Sequence, residues 1–566
     1  MPGEEVPWPS PPREPGPWNG GPPVSPPGNT PLPPLPGAGT VMHNASPQTN
    51  PWANPGASAS PVPAPTPGAW GNQRPIPQVN IPPERQDPFP GLPTGPKLVD
   101  RAPVWILIAS AIVVIGLIAG IGYVAVKGGR QYPSQWDARV VPITKWVEKE
   151  RELTFKHPVK VNFLSDKEYT KRSTEGSSSD TPESKQYYKD QVAQLRALGF
   201  ISGDVDLAEA NKTLSDSGTL AYYDPDVEQV FVRGTKLTPG VQVTLAHELT
   251  HVLQDQYFDL GRIQDYDDGR AAVLRALGEG DATKVEDAYV ANKLTAAERK
   301  AYDKESQASG DSASSEIDKK VPPILTTLFA SPYILGPELI KFLDASGGWD
   351  AINEALKTPP TEEAMFDPTT YQTDAAKQQT VEIKAPKGAE TIENSEFGPT
   401  AWYLLLASRL DPQMALAATD GWGGDRYVVY RQDGKVCLNA TVQGDTPDDV
   451  DQMAKALGAW AAKSPKGTAE VNTSDGAVQF HSCDPGKDAK AVGGKVTPDL
   501  LALPVTRTQL YTQATEAKRS PKQARCFANG VVERFTLAQI QDPDGTFIQS
   551  ADGQRILQEL RSTCFS

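Results

Sequence analysis

Within Thr238–Gln254, His247 and His251 stand four residues apart, with Glu248 directly after the first. On a helix that spacing puts the two imidazoles one above the other on one face. Two imidazoles so placed can bind one zinc ion, and the adjacent carboxylate can take a proton from zinc-bound water. The chain has only 5 histidines, so a chance His-Glu-x-x-His is rare. The bland alternative is an amphipathic helix with two structural histidines. His43, His157 and His481 have no motif around them and read as structural.

The helix that must carry these residues is legible. Thr238 is a good N-cap and Pro239 suits the first helical position. Leu245, Leu249, Val252 and Leu253 recur at helical spacing. Before it, Leu220–Tyr223 and Gln229–Val232 flank the turn Asp224-Pro225-Asp226, a hairpin signal. The second strand of that hairpin is the expected edge strand for holding an extended substrate.

A catalytic zinc takes three protein ligands and keeps an open position. Asp255 continues the i, i+4 row, but one helix face cannot easily wrap three ligands around a metal. Asp259 is a looser choice. Glu279 is the better one. It lies between Gly278 and Gly280 in a second helical stretch, from Asp268 to about Lys293, beside apolar Ala272, Val273, Ala276 and Leu277. The glycines allow close approach of another helix. An ordinary surface glutamate is the alternative for Glu279.

The combination His247-Glu248-Leu249-Thr250-His251, Gln254-Asp255-Gln256 and Glu279-Gly280-Asp281-Ala282 resembles the gluzincin-type zinc metallopeptidases. It is similar in particular to membrane-anchored or secreted metallopeptidases of bacteria, often actinobacteria. Further matches are Ser331-Pro332-Tyr333 with Gly336, Gly347-Gly348-Trp349 with Asn353, and Gly421 to Tyr427, so the likeness spans about Val159 to Tyr430. It implies a zincin-like α+β fold, a mostly antiparallel sheet above the motif helix. It also implies one Zn2+ on His247, His251 and Glu279, with Glu248 as general base. Tyr333, Arg426 and Tyr427 are oxyanion-donor candidates by the same resemblance. One departure stands out. The best-known gluzincins carry an aspartate four residues after the ligand glutamate, and here that position is Thr283; Asp281 or Asp287 would have to orient a histidine instead. The function implied is peptide-bond hydrolysis. A catalytically inactive zincin-like scaffold of the cell envelope is the alternative, favoured by Thr283, and a structural metal is a third reading.

Composition divides the chain of 566 residues. Residues 1–101 hold more than half of the 54 prolines and read as a disordered arm, a spacer or a ligand for a cytoplasmic proline-recognition partner. Residues 102–126 are uncharged and apolar, the expectation for one transmembrane helix. Residues 127–158 read as a juxtamembrane tether, 159–424 as the zincin-like domain and 425–566 as an α+β and helical region. All 4 cysteines follow the apolar run, which favours disulfides outside the cell: Cys437 with Cys483, and Cys526 with Cys564. The expected location is therefore the cell membrane, single-pass, with the N-terminus cytoplasmic and the C-terminal part extracytoplasmic. The net charge of -15 argues against nucleic acid or anionic lipid as partner; a protein or peptide substrate is what the resemblance implies. Two Ser-rich stretches, Thr170–Lys185 and Glu305–Asp318, read as mobile segments.

Overall fold

The computed structural model describes residues 132–566, apart from 175–180, 217–219, 372–377, 491 and 543. The first element, α1 (Val141–Arg151), has proline in its first turn and buries Ile143, Thr144, Val147 and Arg151. Strand β1 (Lys160–Leu164) follows, then α2 (Asp166–Ser173), α3 (Pro182–Ala197) and α4 (Leu207–Asp216). The hairpin forms as β2 (Ala221–Asp224) and β3 (Gln229–Arg233). β1 pairs with β3 in parallel, and β2 pairs with it antiparallel, giving the order β1-β3-β2. The expected edge strand is thus corrected. Both sides of β3 are taken, by β1 on one side and β2 on the other, and those two strands are the edges of the sheet.

Helix α5 (Pro239–Phe258) carries the His-Glu-x-x-His motif, and Thr238 caps it by accepting from the Val241 amide. It is buried nearly all round rather than along one stripe. Helix α6 (Asp268–Asn292) packs on α5 and on α8 (Pro323–Lys357), with α7 (Ala296–Lys320) between them in sequence. A short α9 (Glu362–Phe366) leads to β4 (Glu390–Ser395), α10 (Gly398–Ala407) and α11 (Pro412–Thr419). Then β5 (Trp422–Gln432) turns through Asp433 and Gly434, both at positive φ, into β6 (Lys435–Gly444). Helix α12 (Pro447–Ala462), β7 (Ala469–Ser474) and β8 (Ala477–Cys483) complete an antiparallel sheet of order β4-β5-β6-β8-β7. The tail is helical: α13 (Ala502–Glu516), α14 (Pro521–Arg534), α15 (Leu537–Ile540), α16 (Thr546–Gln549) and α17 (Ala551–Cys564).

Disulfides join Cys437 to Cys483 between facing residues of β6 and β8, and Cys526 to Cys564 between α14 and α17. Strand β5 runs across the division expected at 424/425, and a single apolar cluster extends from Ala193 to Cys564.

The membrane-anchored architecture is corrected. Among the described residues no helix is long and apolar enough to cross a membrane. The longest, α8, carries Glu338, Lys341, Asp344, Asp350, Glu354 and Lys357 along its length. What the structure supports is an α+β body dominated by helices, with one mixed and one antiparallel sheet. The single-pass membrane location and its inside–outside orientation are withdrawn with the anchor. The expected span at 102–126 and the Pro-rich arm lie outside the described residues.

Candidate metal centre

Helices α5 and α6 bring the site together. From α5, His247 Nε2 lies 3.2 Å from Glu279 Oε2 of α6, and His251 Nε2 lies 3.4 Å from the same oxygen. One donor atom from each of the three falls within 4.8 Å of the others. All three side chains are buried, as is Glu248. Two helices approaching from different directions achieve what one helix face could not.

Both imidazoles are held from behind. His247 Nδ1 lies 3.0 Å from Glu286 Oε2, and His251 Nδ1 lies 2.8 Å from Gln254 Oε1. Gln254 in turn donates to the Gly278 carbonyl and to Asp281 Oδ2, each at 2.9 Å. Asp281 receives Arg151 Nε of α1 at 3.0 Å, and Arg151 Nη2 donates to Asn353 at 2.6 Å. With each Nδ1 facing an acceptor, neutral rings carry the proton there and aim Nε2 lone pairs at one point. Asp281 acts on His251 only through Gln254. Asp287 hydrogen-bonds neither imidazole, and Glu286, which the sequence reading missed, takes that place. The signal was available: Glu286 lies seven residues after Glu279, two turns along the same face.

The general-base candidate is anchored on one side. Glu248 Oε2 accepts the Tyr223 amide of β2 at 2.8 Å, while Oε1 is buried without a hydrogen-bond partner. Burial pushes its carboxyl up to about 7 against the pull of both histidines. Burial acts upward on Glu279 too, but the two imidazoles outweigh it and hold Glu279 down at about 2.

The other candidates lie elsewhere. Asp255 receives Tyr223 Oη at 2.6 Å and the Leu260 amide at 2.8 Å. Asp259 ends α5 in a left-handed conformation. Arg426 reaches Asp267, and Tyr427 Oη reaches Asp268 and Glu393. Those contacts sit at the start of α6, eleven residues from Glu279, or about 16 Å along the axis. Tyr333 is buried on α8 and interacts with Arg275, the residue one turn before Glu279. Arg275 is the cation the site does contain. It lines a cavity of ≈ 30 Å³ with Tyr223, Pro225, His251, Leu274 and Glu279. That space holds roughly one or two waters.

The donor set fits zinc: two imidazole nitrogens and one carboxylate, with outer hydrogen bonds fixing the rings. His251 Nε2 is buried with Glu279 Oε2 at 3.4 Å, too long for a good hydrogen bond, the kind of under-satisfied pair a metal would serve.

A family model described as a domain of unknown function, DUF8575, matches residues 383–497. That stretch covers the five-stranded sheet and α12 and contains none of His247, Glu248, His251 or Glu279. No curated protein and no solved structure matches the chain.

Proposed function

We propose that this protein is a zinc-dependent peptidase in which His247, His251 and Glu279 hold one zinc ion and Glu248 is the general base. The observation that carries the reading is the convergence of two Nε2 atoms and one carboxylate from two helices, all of them buried. A bound zinc supplies a Lewis acid and a water of lowered pKa. Glu248, fixed through Oε2, would keep Oε1 for taking up a proton from the attacking water and delivering it to the leaving amine. Arg275 in the cavity wall stabilises negative charge on the carbonyl oxygen. The Tyr223 amide points away from β3 and holds Glu248 Oε2, so β2 positions the general base.

The test uses purified protein loaded with zinc and a mixture of quenched fluorescent peptides. Wild type should cleave, and Glu248→Gln should retain the metal and lose cleavage by at least two orders of magnitude. Equal cleavage by Glu248→Gln would sink the assignment. A second reading, a zinc-binding module without turnover, is favoured by the narrowness of the cavity. It predicts bound zinc and no cleavage by wild type.

A further inference from the structure

The five-stranded sheet holds a second cluster of reactive groups, which shares no residue with the metal centre. The pairing of β6 with β8 sets Cys437 opposite Cys483 and Asn439 opposite His481. Residues two apart on a strand share a face, so the disulfide, the imidazole and the amide lie side by side. The other face of β8 carries Val478, Phe480 and Ser482 and is buried.

His481 links the two pairs. Its Nδ1 lies 2.7 Å from Asn439 Oδ1, and its Nε2 lies 3.3 Å from Cys483 Sγ. An amide oxygen can only accept, so the proton of the neutral ring sits on Nδ1 and the Nε2 lone pair faces the sulfur. A disulfide sulfur has no proton to offer that lone pair. A reduced Cys483 has one: its thiol can pass the proton to Nε2 and remain as a thiolate beside an imidazolium. The contact therefore favours the reduced state over the oxidised one.

The two sulfurs are not equally placed. Cys437 is buried in a cluster with Val428 and Tyr430, against which Ile383, Ala385 and Ala389 pack. Cys483 and His481 are half-buried, on the side of the edge strand β7, whose exposed Glu470 stands opposite His481. A thiolate attacks in line with the S–S bond, so Cys483 is met from the β7 side and Cys437 is displaced. The titratable groups nearest the cluster on other elements are Glu470, Tyr430 opposite Cys437 on β5, and Lys384 and Lys387 in the segment that packs over Cys437.

We propose that Cys437–Cys483 is an exchangeable disulfide that takes two electrons from a dithiol, with His481 holding the Cys483 thiolate of the reduced form. One thiolate of the dithiol bonds to Cys483 Sγ, the Cys437–Cys483 bond breaks, and Cys437 leaves and takes up a proton. The second thiolate then attacks the dithiol sulfur of that mixed bond. The dithiol departs as a cyclic disulfide and Cys483 leaves as a thiolate. The two protons of the dithiol end on Cys437 and on His481. The site is independent of the zinc reading.

The test equilibrates the purified full chain in buffers of reduced and oxidised dithiothreitol at pH 7, with acid quenching, alkylation and peptide mapping. A Cys483 thiol that titrates near pH ~6 favours reduction about tenfold over one that titrates near ~8.5, which for two electrons is about 30 mV. His481→Gln should therefore lower the reduction constant of Cys437–Cys483 about tenfold. Cys526–Cys564 is the internal control, because the other described histidines, His157, His247 and His251, are engaged elsewhere. Its constant should not change in the variant. In the reduced wild type, alkylation of Cys483 by iodoacetamide should rise with a midpoint near pH ~6, and in His481→Gln near pH ~8.5. An unchanged reduction constant in His481→Gln, or an equal loss at both disulfides, would overturn the proposal. So would a wild-type midpoint near ~8.5, which needs no variant to be read.

Discussion

His247 and His251 direct their Nε2 atoms at Glu279 because Glu286 and Gln254 occupy their Nδ1 atoms. Removing such outer partners commonly costs 10- to 100-fold in metal affinity. Glu286→Ala and Gln254→Ala should therefore each weaken zinc by about that factor, measured by competition with a chromophoric chelator. Asp255→Ala should leave affinity unchanged, since that carboxylate serves Tyr223 and Leu260. Thr283→Asp should bring no gain, because Glu286 already holds the ring. Loss of zinc in Asp255→Ala with full affinity in Glu286→Ala would reverse the roles assigned here. The histidine pair was readable because its spacing is local, and Glu279 because two glycines mark it. Asp281 to Gln254 to His251 was not readable. Its anchor, Arg151, comes from 130 residues away, and no periodicity encodes such a contact.

Helices α6 and α8 meet backbone to backbone. A Cβ on Gly280 would lie 2.4 Å from the Gly336 carbonyl group, and one on Gly336 would lie 2.1 Å from the Ala276 oxygen. Neither neighbour is a flexible side chain, so the helices must separate to admit a methyl. Gly336→Ala should cost roughly 1–3 kcal/mol in urea unfolding and weaken zinc by shifting Glu279. Unchanged stability would show that the crossing is looser than its geometry. The same scale shows where composition misleads. The Ser/Ala/Asp stretch Glu305–Asp318, expected to be mobile, lies inside α7, whose Thr295–Glu298 capping box starts it. Glu305 also accepts from the Gly240 amide and Thr238 Oγ at the start of α5. Helix α8 runs through Pro332 and Pro337 and departs from helical geometry only at Gly347 and Gly348. The Leu328 carbonyl, which Pro332 cannot satisfy, receives the Ser331 hydroxyl at 2.8 Å. Helix α1, within the stretch read as a tether, supplies the buried Arg151. Arg151→Met leaves Asp281 uncompensated and should destabilise by about 3–5 kcal/mol, read from the urea midpoint.

Across the whole molecule, acidic groups are packed where water is scarce, and this sets how stability follows pH. Glu362 and Glu396 both crowd Gly269, the point where α6 begins: a Cβ there would lie 2.4 Å from one carboxyl oxygen and 2.9 Å from the other. Glu362 accepts the Thr400 amide at 3.2 Å near the start of α10. Burial first, and then Asp425, pushes Glu396 up to about 8; burial and then Asp445 do the same for Glu363. Burial holds Glu362 well above the usual carboxylate range as well. In the unfolded chain these groups titrate near 4.5. Below that value both states are protonated and the stabilisation is complete. Between about 4.5 and 8 the folded state keeps protons that the unfolded state has released, so stability falls as pH rises. The slope is at most about 1.4 kcal/mol per pH unit for each group. Urea midpoints should therefore decline from pH 5 to pH 8, the opposite of a protein held by ionised, paired carboxylates. Glu396→Gln imitates the protonated side chain. It should flatten part of that decline and make the variant more stable than wild type at pH 8, with little difference at pH 5. Parallel curves for the two proteins across this range would mean that Glu396 is already ionised in the folded state.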